Sequence, residues 1–257
     1  MIFIGERINT GFKDIKQAVM DKDPAPIRQW AKKQAEAGAD YLDVNLGAVS
    51  ADPADMCWMI ETTQAVVETA ICIDTNKPKI LAEAIKVCRP GMLVNSTTAA
   101  DEKLDAIMPI VAEHNASIIG LSMDESGTPK SADKRVENAA KVLAKAMELG
   151  IEPTRVLLDP IVMPLKYMQD QAAQILEATR QFTLFSDPPP HVSFGLSNVS
   201  SGAVHKKLIN RTFLVMGIAC GADAAICDVL DNDLVNAALT AEFVMNREIY
   251  ADSYVRT

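Results

Sequence analysis

Eight short apolar runs of strand character recur along the chain, and each ends on an acid, an amide or a hydroxyl: IFIGERIN, YLDVNLG, ICIDTN, GMLVNSTT, SIIGLSMD, RVLLDP, HVSFGLSN and AAICDV. The polar residues at their ends include Glu6 and Asn9, Asp43 and Asn45, Asp74, Asn95, Ser122 and Asp124, Asp159, Ser197 and Asn198, and Asp228. Between the runs lie segments of helical period: Ile15 to Ala37, Pro53 to Ala70, Pro78 to Val87, Asp101 to His114, Ser131 to Leu149, Tyr167 to Phe185, Leu208 to Ala219 and Asp233 to Asn246. Several of these stop at glycine before the next strand, as in AEAGA, ELG and ACGA, which is the usual stop chemistry of helices. Strand and helix alternate in repeats of roughly thirty residues, as βαβ units require. Eight such units predict a closed parallel (β/α)8 barrel, whose strands all point one way and bring their C-terminal side chains to one mouth.

A length of 257 residues suits one such barrel. No composition shift or Ser/Gly-rich linker divides the chain, so a single domain is expected over 1–257. The Pro-rich stretch Asp187 to Pro190 reads as a turn closing the sixth unit, since proline does not continue a helix. A doubly wound open sheet would bring a glycine-rich phosphate turn after its first strand. GERINTGFKD at that place contains neither G-x-G-x-x-G nor G-x-x-x-x-G-K, so the barrel is preferred.

Hydrophobic residues make up 49% of the chain but aromatic ones only 5%, so the core is built from Ala, Val, Ile, Leu and Met. No apolar stretch approaches the roughly 20 residues of a membrane span. MIFIGERIN enters a strand at once, without the basic and apolar segments of a secretory signal, and the expected location is the cytoplasm. The net charge of −9 argues against nucleic acid or an anionic membrane as partner. Cys57, Cys72, Cys88, Cys220 and Cys227 include no C-x-x-C pair and fit reduced thiols, with Cys72 and Cys227 inside strands as core residues. His114, His191 and His205 are scattered, and no metal site is expected.

The mouth is thus rich in Asp and Asn and nearly free of cations. Asp74, Asn95 and Asp159 have a chemical use if they point inward. A pterin edge offers an exocyclic amine and a ring N–H beside a carbonyl; a carboxylate accepts from the donors, and an amide both accepts and donates. The competing reading is that these residues cap the following helices, as in Asp74-Thr75-Asn76-Lys77-Pro78 and Asn95-Ser96-Thr97.

GERIN, Asp43-Val44-Asn45-Leu46-Gly47, Ile73-Asp74-Thr75, Asn95-Ser96-Thr97, Leu158-Asp159-Pro160 and the pair GLSNVS and LINRTF occur in that order along essentially the whole chain. In these motifs the chain resembles the pterin-binding methyltransferases. Within them it is most similar to the folate:corrinoid-protein methyltransferases of acetogens and of anaerobic demethylation systems. The resemblance implies a (β/α)8 barrel that moves a methyl group between N5 of tetrahydrofolate and the cobalt of a corrinoid (cobalamin) carried by a partner protein. It implies that Asp74, Asn95 and Asp159 hold the pterin, that Gly195 and Ser197 line it, and that Asn198 sits near N5. Glu6 and Asn9 would shape the floor of the mouth, and Met123 would pack beside the ring. The acetogen enzyme carries an arginine in the loop before LINRT; here the loop reads SSGAVHKK, and Lys206 is the nearest match. The resemblance also implies a homodimer, for which TFLVMGIACGA offers an apolar helical face or, equally, the inner face of its own helix.

When methyltetrahydrofolate is the donor, N5 leaves only as it gains a proton or a hydrogen bond, and the neutral amide of Asn198 could donate that bond without a tuned pKa. Two other readings compete. Dihydropteroate synthase shares a pterin barrel but must stabilise departing pyrophosphate with cations, which FGLSNVS and DVNLGAVSADP do not supply. A noncatalytic folate or corrinoid-protein adaptor would bind without turnover.

Overall fold

The computed structural model describes residues 1–248, so 249–257 of the domain expected over 1–257 lie outside the described residues. The eight strands are β1 (Ile2–Asn9), β2 (Tyr41–Asn45), β3 (Ala70–Asp74), β4 (Leu93–Thr98), β5 (Ser117–Leu121), β6 (Val156–Asp159), β7 (His191–Gly195) and β8 (Ala224–Cys227). They pair in sequence order, all parallel, and β8 closes on β1. This is the (β/α)8 barrel that the alternating pattern predicts.

Around it run α1 (Lys13–Asp21), α2 (Ala25–Glu36), α3 (Pro53–Gln64), α4 (Pro78–Val87), α5 (Asp101–Glu113), α6 (Ala132–Glu148), α7 (Leu165–Met168), α8 (Gln171–Phe182), α9 (Lys206–Cys220) and α10 (Asn232–Val244). The helix expected from Ile15 to Ala37 is two helices. Lys22 turns left-handed at φ 54° and its N–H closes on Ala18 O, while Pro24 lacks the donor that a continuous helix would need. The segment from Pro53 stops at Gln64, short of Ala70, and Gln64 then joins the next connection by accepting from the Arg89 N–H at 2.7 Å. Tyr167 to Phe185 likewise divides into α7 and α8. The glycine stops hold: Gly38, Gly150 and Gly221 all have positive φ.

Most of the apolar core lies between barrel and helices. At Gly217 on α9 a Cβ would stand 2.2 Å from the Phe194 ring, so glycine lets α9 lie on β7. A second, smaller core plugs the barrel: Ile4, Cys72, Leu93, Ile119, Leu157 and Ala224, all at most 3% exposed. Side chains two residues apart on a strand share a face. Two residues beyond Ile4, Cys72, Leu93 and Leu157 stand Glu6, Asp74, Asn95 and Asp159, and Tyr41, packed on the same plug, is followed by Asp43. The acids and amides are therefore the next inward layer above an apolar plug.

Two register shifts complete the rim. One between Gly5 and Ile8 turns Asn9 to stand opposite Asn45, and the other lies between Asn95 and Thr97, where the Asn95–Ser96 peptide is cis.

Candidate active site

The mouth is a cavity of about 340 Å³. Glu6, Asn9, Asp74, Asn95, Asp159, Gly195, Ser197 and Asn198 all line it, together with Asp43, Leu121 and Ile226. No Lys, Arg or His is among these residues. Two sequence candidates lie elsewhere. Met123 is on the wall of a neighbouring cavity, while Lys206 is exposed at the start of α9 and lines neither cavity.

Asp74 and Asn95 do not cap helices. The N-caps of α4 and α5 are Lys77 and Ala100, and neither helix has a side-chain cap. The two residues belong instead to a chain of bonds across three strands: Asn45 Nδ2 donates to Asp74 Oδ2, and Asn95 Nδ2 donates to Asp43 Oδ1 at 3.1 Å. Asp43 is 2% exposed, and burial, then the charge of Asp74, holds its carboxyl well above the usual carboxylate range. Burial also raises Asp74, against the hydrogen bonds from Asn45 and Asp43. Burial and the neighbouring charge therefore favour a proton on Asp43, the more enclosed of the two carboxyls. Asp43 on the mouth wall and Asn45 beside it thus bond the candidates Asn95 and Asp74, a connection that their place at strand ends does not reveal. Strand parity was the available signal, since Asp43 follows Tyr41 on the inward face.

Asp159 is 5% exposed, and burial lifts its carboxyl to about 6 against two backbone bonds that lower it. Its Oδ1 accepts from the Ile161 N–H at 2.6 Å and its Oδ2 from the Gly195 N–H at 3.3 Å. The first bond holds a β-branched residue at φ 64°, a conformation such residues rarely adopt. Arg135, fully buried, secures the same turn by donating from Nε to Pro160 O at 2.8 Å and from Nη2 to Gln171 Oε1 at 3.1 Å. Nothing in the sequence distinguished Arg135 from a solvated helix residue.

Glu6 receives the Ser197 hydroxyl at 2.8 Å, and burial raises it to about 6. Asn198, one residue on, is exposed to the cavity, and among the described residues its side-chain amide makes no hydrogen bond. A Cβ on Gly195 would stand 3.0 Å from Asn198 Nδ2 and 3.9 Å from Asp159 Oδ2, so glycine there leaves room for the amide. Of the other strand-end acids, Asp124 pairs with Lys134 at 3.2 Å and Asp228 accepts from the Leu230 N–H; neither lines the mouth. Cys72 and Cys227 are fully buried in strands. No group of metal-ligating side chains occurs among the described residues.

Fold and site together define a parallel barrel whose C-terminal mouth gathers buried carboxyls and amides above an apolar plug. The chain belongs to the family of pterin binding enzymes, whose pattern matches residues 5–228. It is 31% identical over 99% of its length to the methylcorrinoid:tetrahydrofolate methyltransferase of Eubacterium limosum, covering 94% of that protein. It is also 26% identical over 88% of its length to methionine synthase of Mycobacterium tuberculosis, matching 20% of that longer chain. Among solved structures, a dihydropteroate synthase of Coxiella burnetii in complex with pteroic acid superposes with a TM-score of 0.70 over 96% of this chain and 94% of its own, at 14% identity. That likeness is one of fold.

Proposed function

We infer that the protein is a methyltransferase moving a methyl group between N5 of tetrahydrofolate and the cobalt of a corrinoid carried on a partner protein. The observation that carries this reading is the inward layer itself: buried acids and amides sit on an apolar plug, with one free amide, Asn198, among them. Asp159, Asp74 and Asn95 accept from and donate to the pterin edge and fix the ring. Leu121 and Ile226 give it apolar walls. The corrinoid, held by the partner, supplies the cobalt that takes up or delivers the methyl. As the N5–methyl bond breaks, its electron pair stays on N5, and Asn198 Nδ2 donates a hydrogen bond that strengthens as the charge develops. Gly195 leaves the Asn198 amide its space, and the bond from Ser197 to Glu6 anchors the residue before it.

The test is incubation of the enzyme with tetrahydrofolate and a methylated corrinoid protein. Methyltetrahydrofolate should form at the rate of the corrinoid spectral change. Binding of both partners without methyl exchange would leave only an adaptor. Condensation of a pterin pyrophosphate with p-aminobenzoate would establish a synthase, which a mouth without cations does not favour.

The same reading places the enzyme in the cytoplasm, supported by five unpaired cysteines, and no helix among the described residues is long and apolar enough to cross a membrane. It also makes the enzyme a homodimer. Phe213, Leu214 and Ile218 of α9 face inward, whereas Val215 and Met216 face out beside an apolar groove completed by Ala241, Val244 and Met245. Light scattering at micromolar concentration should give twice the chain mass, and Met216→Glu should give the monomer. A monomeric wild type would remove this part of the reading.

A further inference from the structure

Beside the mouth, and sharing Asp74, Ser96 and Leu121 with it, lies a second cavity of about 430 Å³. Its character differs from that of the mouth. Leu46, Ile80, Leu121 and Met123 give it an apolar lining, and Lys77 and Lys103 stand on its wall. Lys77 comes from the start of α4 and Lys103 from the first turn of α5. Among the described residues neither ammonium pairs with a carboxylate; Lys103 Nζ donates only to Asn76 O, at 3.3 Å. Of the acids near them, Asp101 pairs with Lys141 at 2.8 Å, and Asp74 is bonded by Asn45 on the side shared with the mouth. In a chain of net charge −9, two lysines without acidic partners beside one cavity are a local reversal of sign.

A cavity lined by apolar side chains and two lysines fits an aromatic ring that carries carboxylates. We propose that this cavity takes the p-aminobenzoylglutamate arm of the folate, with Lys77 and Lys103 facing its carboxylates, so that the enzyme prefers folates carrying more than one glutamate. The proposal rests on the folate reading of the mouth and extends it to the half of the substrate that takes no part in methyl transfer. Uniform binding of this kind lowers the folate concentration needed without changing the transfer step. Lys206, the counterpart suggested by motif, is left outside the arm's path.

Calorimetry with three compounds tests it: tetrahydrofolate triglutamate, tetrahydrofolate monoglutamate, and 6-methyltetrahydropterin, which has the ring but no arm. The wild type should bind them in that order of strength, with the gaps narrowing as salt is raised. Lys77→Gln and Lys103→Gln should each weaken the triglutamate about two- to five-fold, the range of partly exposed charge pairs, and leave 6-methyltetrahydropterin unchanged. Equal affinity for all three compounds in the wild type would overturn the arm site while leaving the pterin reading in place. Loss of the glutamate preference in Lys206→Gln, but not in the double lysine variant, would move the arm to the other side of the mouth and overturn it too. If the wild type bound neither the pterin nor the folates, the reading of the mouth would fall, and the arm site with it.

Discussion

At the N-terminal end of the barrel, Asp223 accepts from His191 Nδ1 at 2.7 Å and from the Val192 N–H at 2.8 Å, and Asp40 accepts from the Phe3 N–H at 2.7 Å. At the C-terminal end, Asp43, Asp74, Asp159 and Glu6 stand in a cavity without a cation, and all four carboxyls are raised by burial. The lower carboxylates join strand to strand, and their partners lie within the chain. The upper ones are costly to ionise and retain acceptor capacity that the protein does not fill. In barrels of this kind the lower face carries stability and the upper face chemistry. Substitutions at the two ends should therefore move different observables.

The largest effect belongs to Asn198. Asn198→Ala should lower the single-turnover methyl-transfer rate by up to about 10²–10³-fold, the loss of one preorganised donor, with folate affinity reduced much less. A water entering the mouth would keep the loss near the lower end. Equal losses in rate and affinity would make Asn198 a uniform binding residue and blur the contrast between the two ends.

Next comes Asp43, which supports its neighbours from beneath. Asp43→Ala leaves the Asn95 amide without its buried acceptor and Asp74 with the Asn45 amide alone, so folate binding should weaken by about 1–3 kcal/mol. Asp43→Asn restores a donor for Asp74 and should recover most of the affinity. An Asn variant as impaired as the Ala variant would show that Asp43 does more than bond Asn95 and Asp74.

Asp223→Ala at the lower end should cost about 1–3 kcal/mol of stability and leave turnover unchanged at temperatures well below melting. The hydrogen bond to Asp223 raises His191 above its usual value. The pair's contribution is therefore fully present below about pH 6.5, the unfolded value, and is lost as pH rises through the folded one. Denaturant titrations at pH 5.5, 7 and 8.5 should show the wild-type advantage over Asp223→Ala shrinking with pH. A change in turnover with no change in stability would place function at the wrong end.

Most of this architecture was legible in the sequence because a parallel barrel writes itself as a repeat. The first apolar run is β1 residue for residue, and Pro78 to Val87 is α4. The break between α1 and α2 was also written there, in Pro24, but the apolar period on either side masked it. At the site, strand ends identified the candidates, while parity above the apolar plug decided which of them faced inward. On that criterion Asp43 joins the site and Asp124 leaves it, whereas Asp228 shares the inward parity of Ala224 and Ile226 but lies past the end of β8, where it accepts from the Leu230 N–H. Arg135 and the cavity of Lys77 and Lys103 were not readable, since both depend on segments distant in sequence meeting at one place. The resemblance suggested Lys206 by position in a loop, and loop position does not fix where a long, exposed side chain ends.

The measurement that tests the account most directly is made on Asp159→Asn, following folate binding and melting of the ligand-free protein together between pH 4 and pH 8. A carboxyl raised to about 6 in the folded state contributes stability below the unfolded value near 3.8 that is lost as pH rises through 6. Asparagine undergoes no such loss. The variant should therefore bind methyltetrahydrofolate at least about ten-fold more weakly, as expected when a charged acceptor is removed. Above pH 6 it should also be more stable than the wild type by about 1–3 kcal/mol, with the gain vanishing toward pH 4. Unchanged folate affinity together with a lower melting temperature at every pH would make Asp159 a turn residue holding Ile161, and the buried acids of the mouth would have no claim on the pterin.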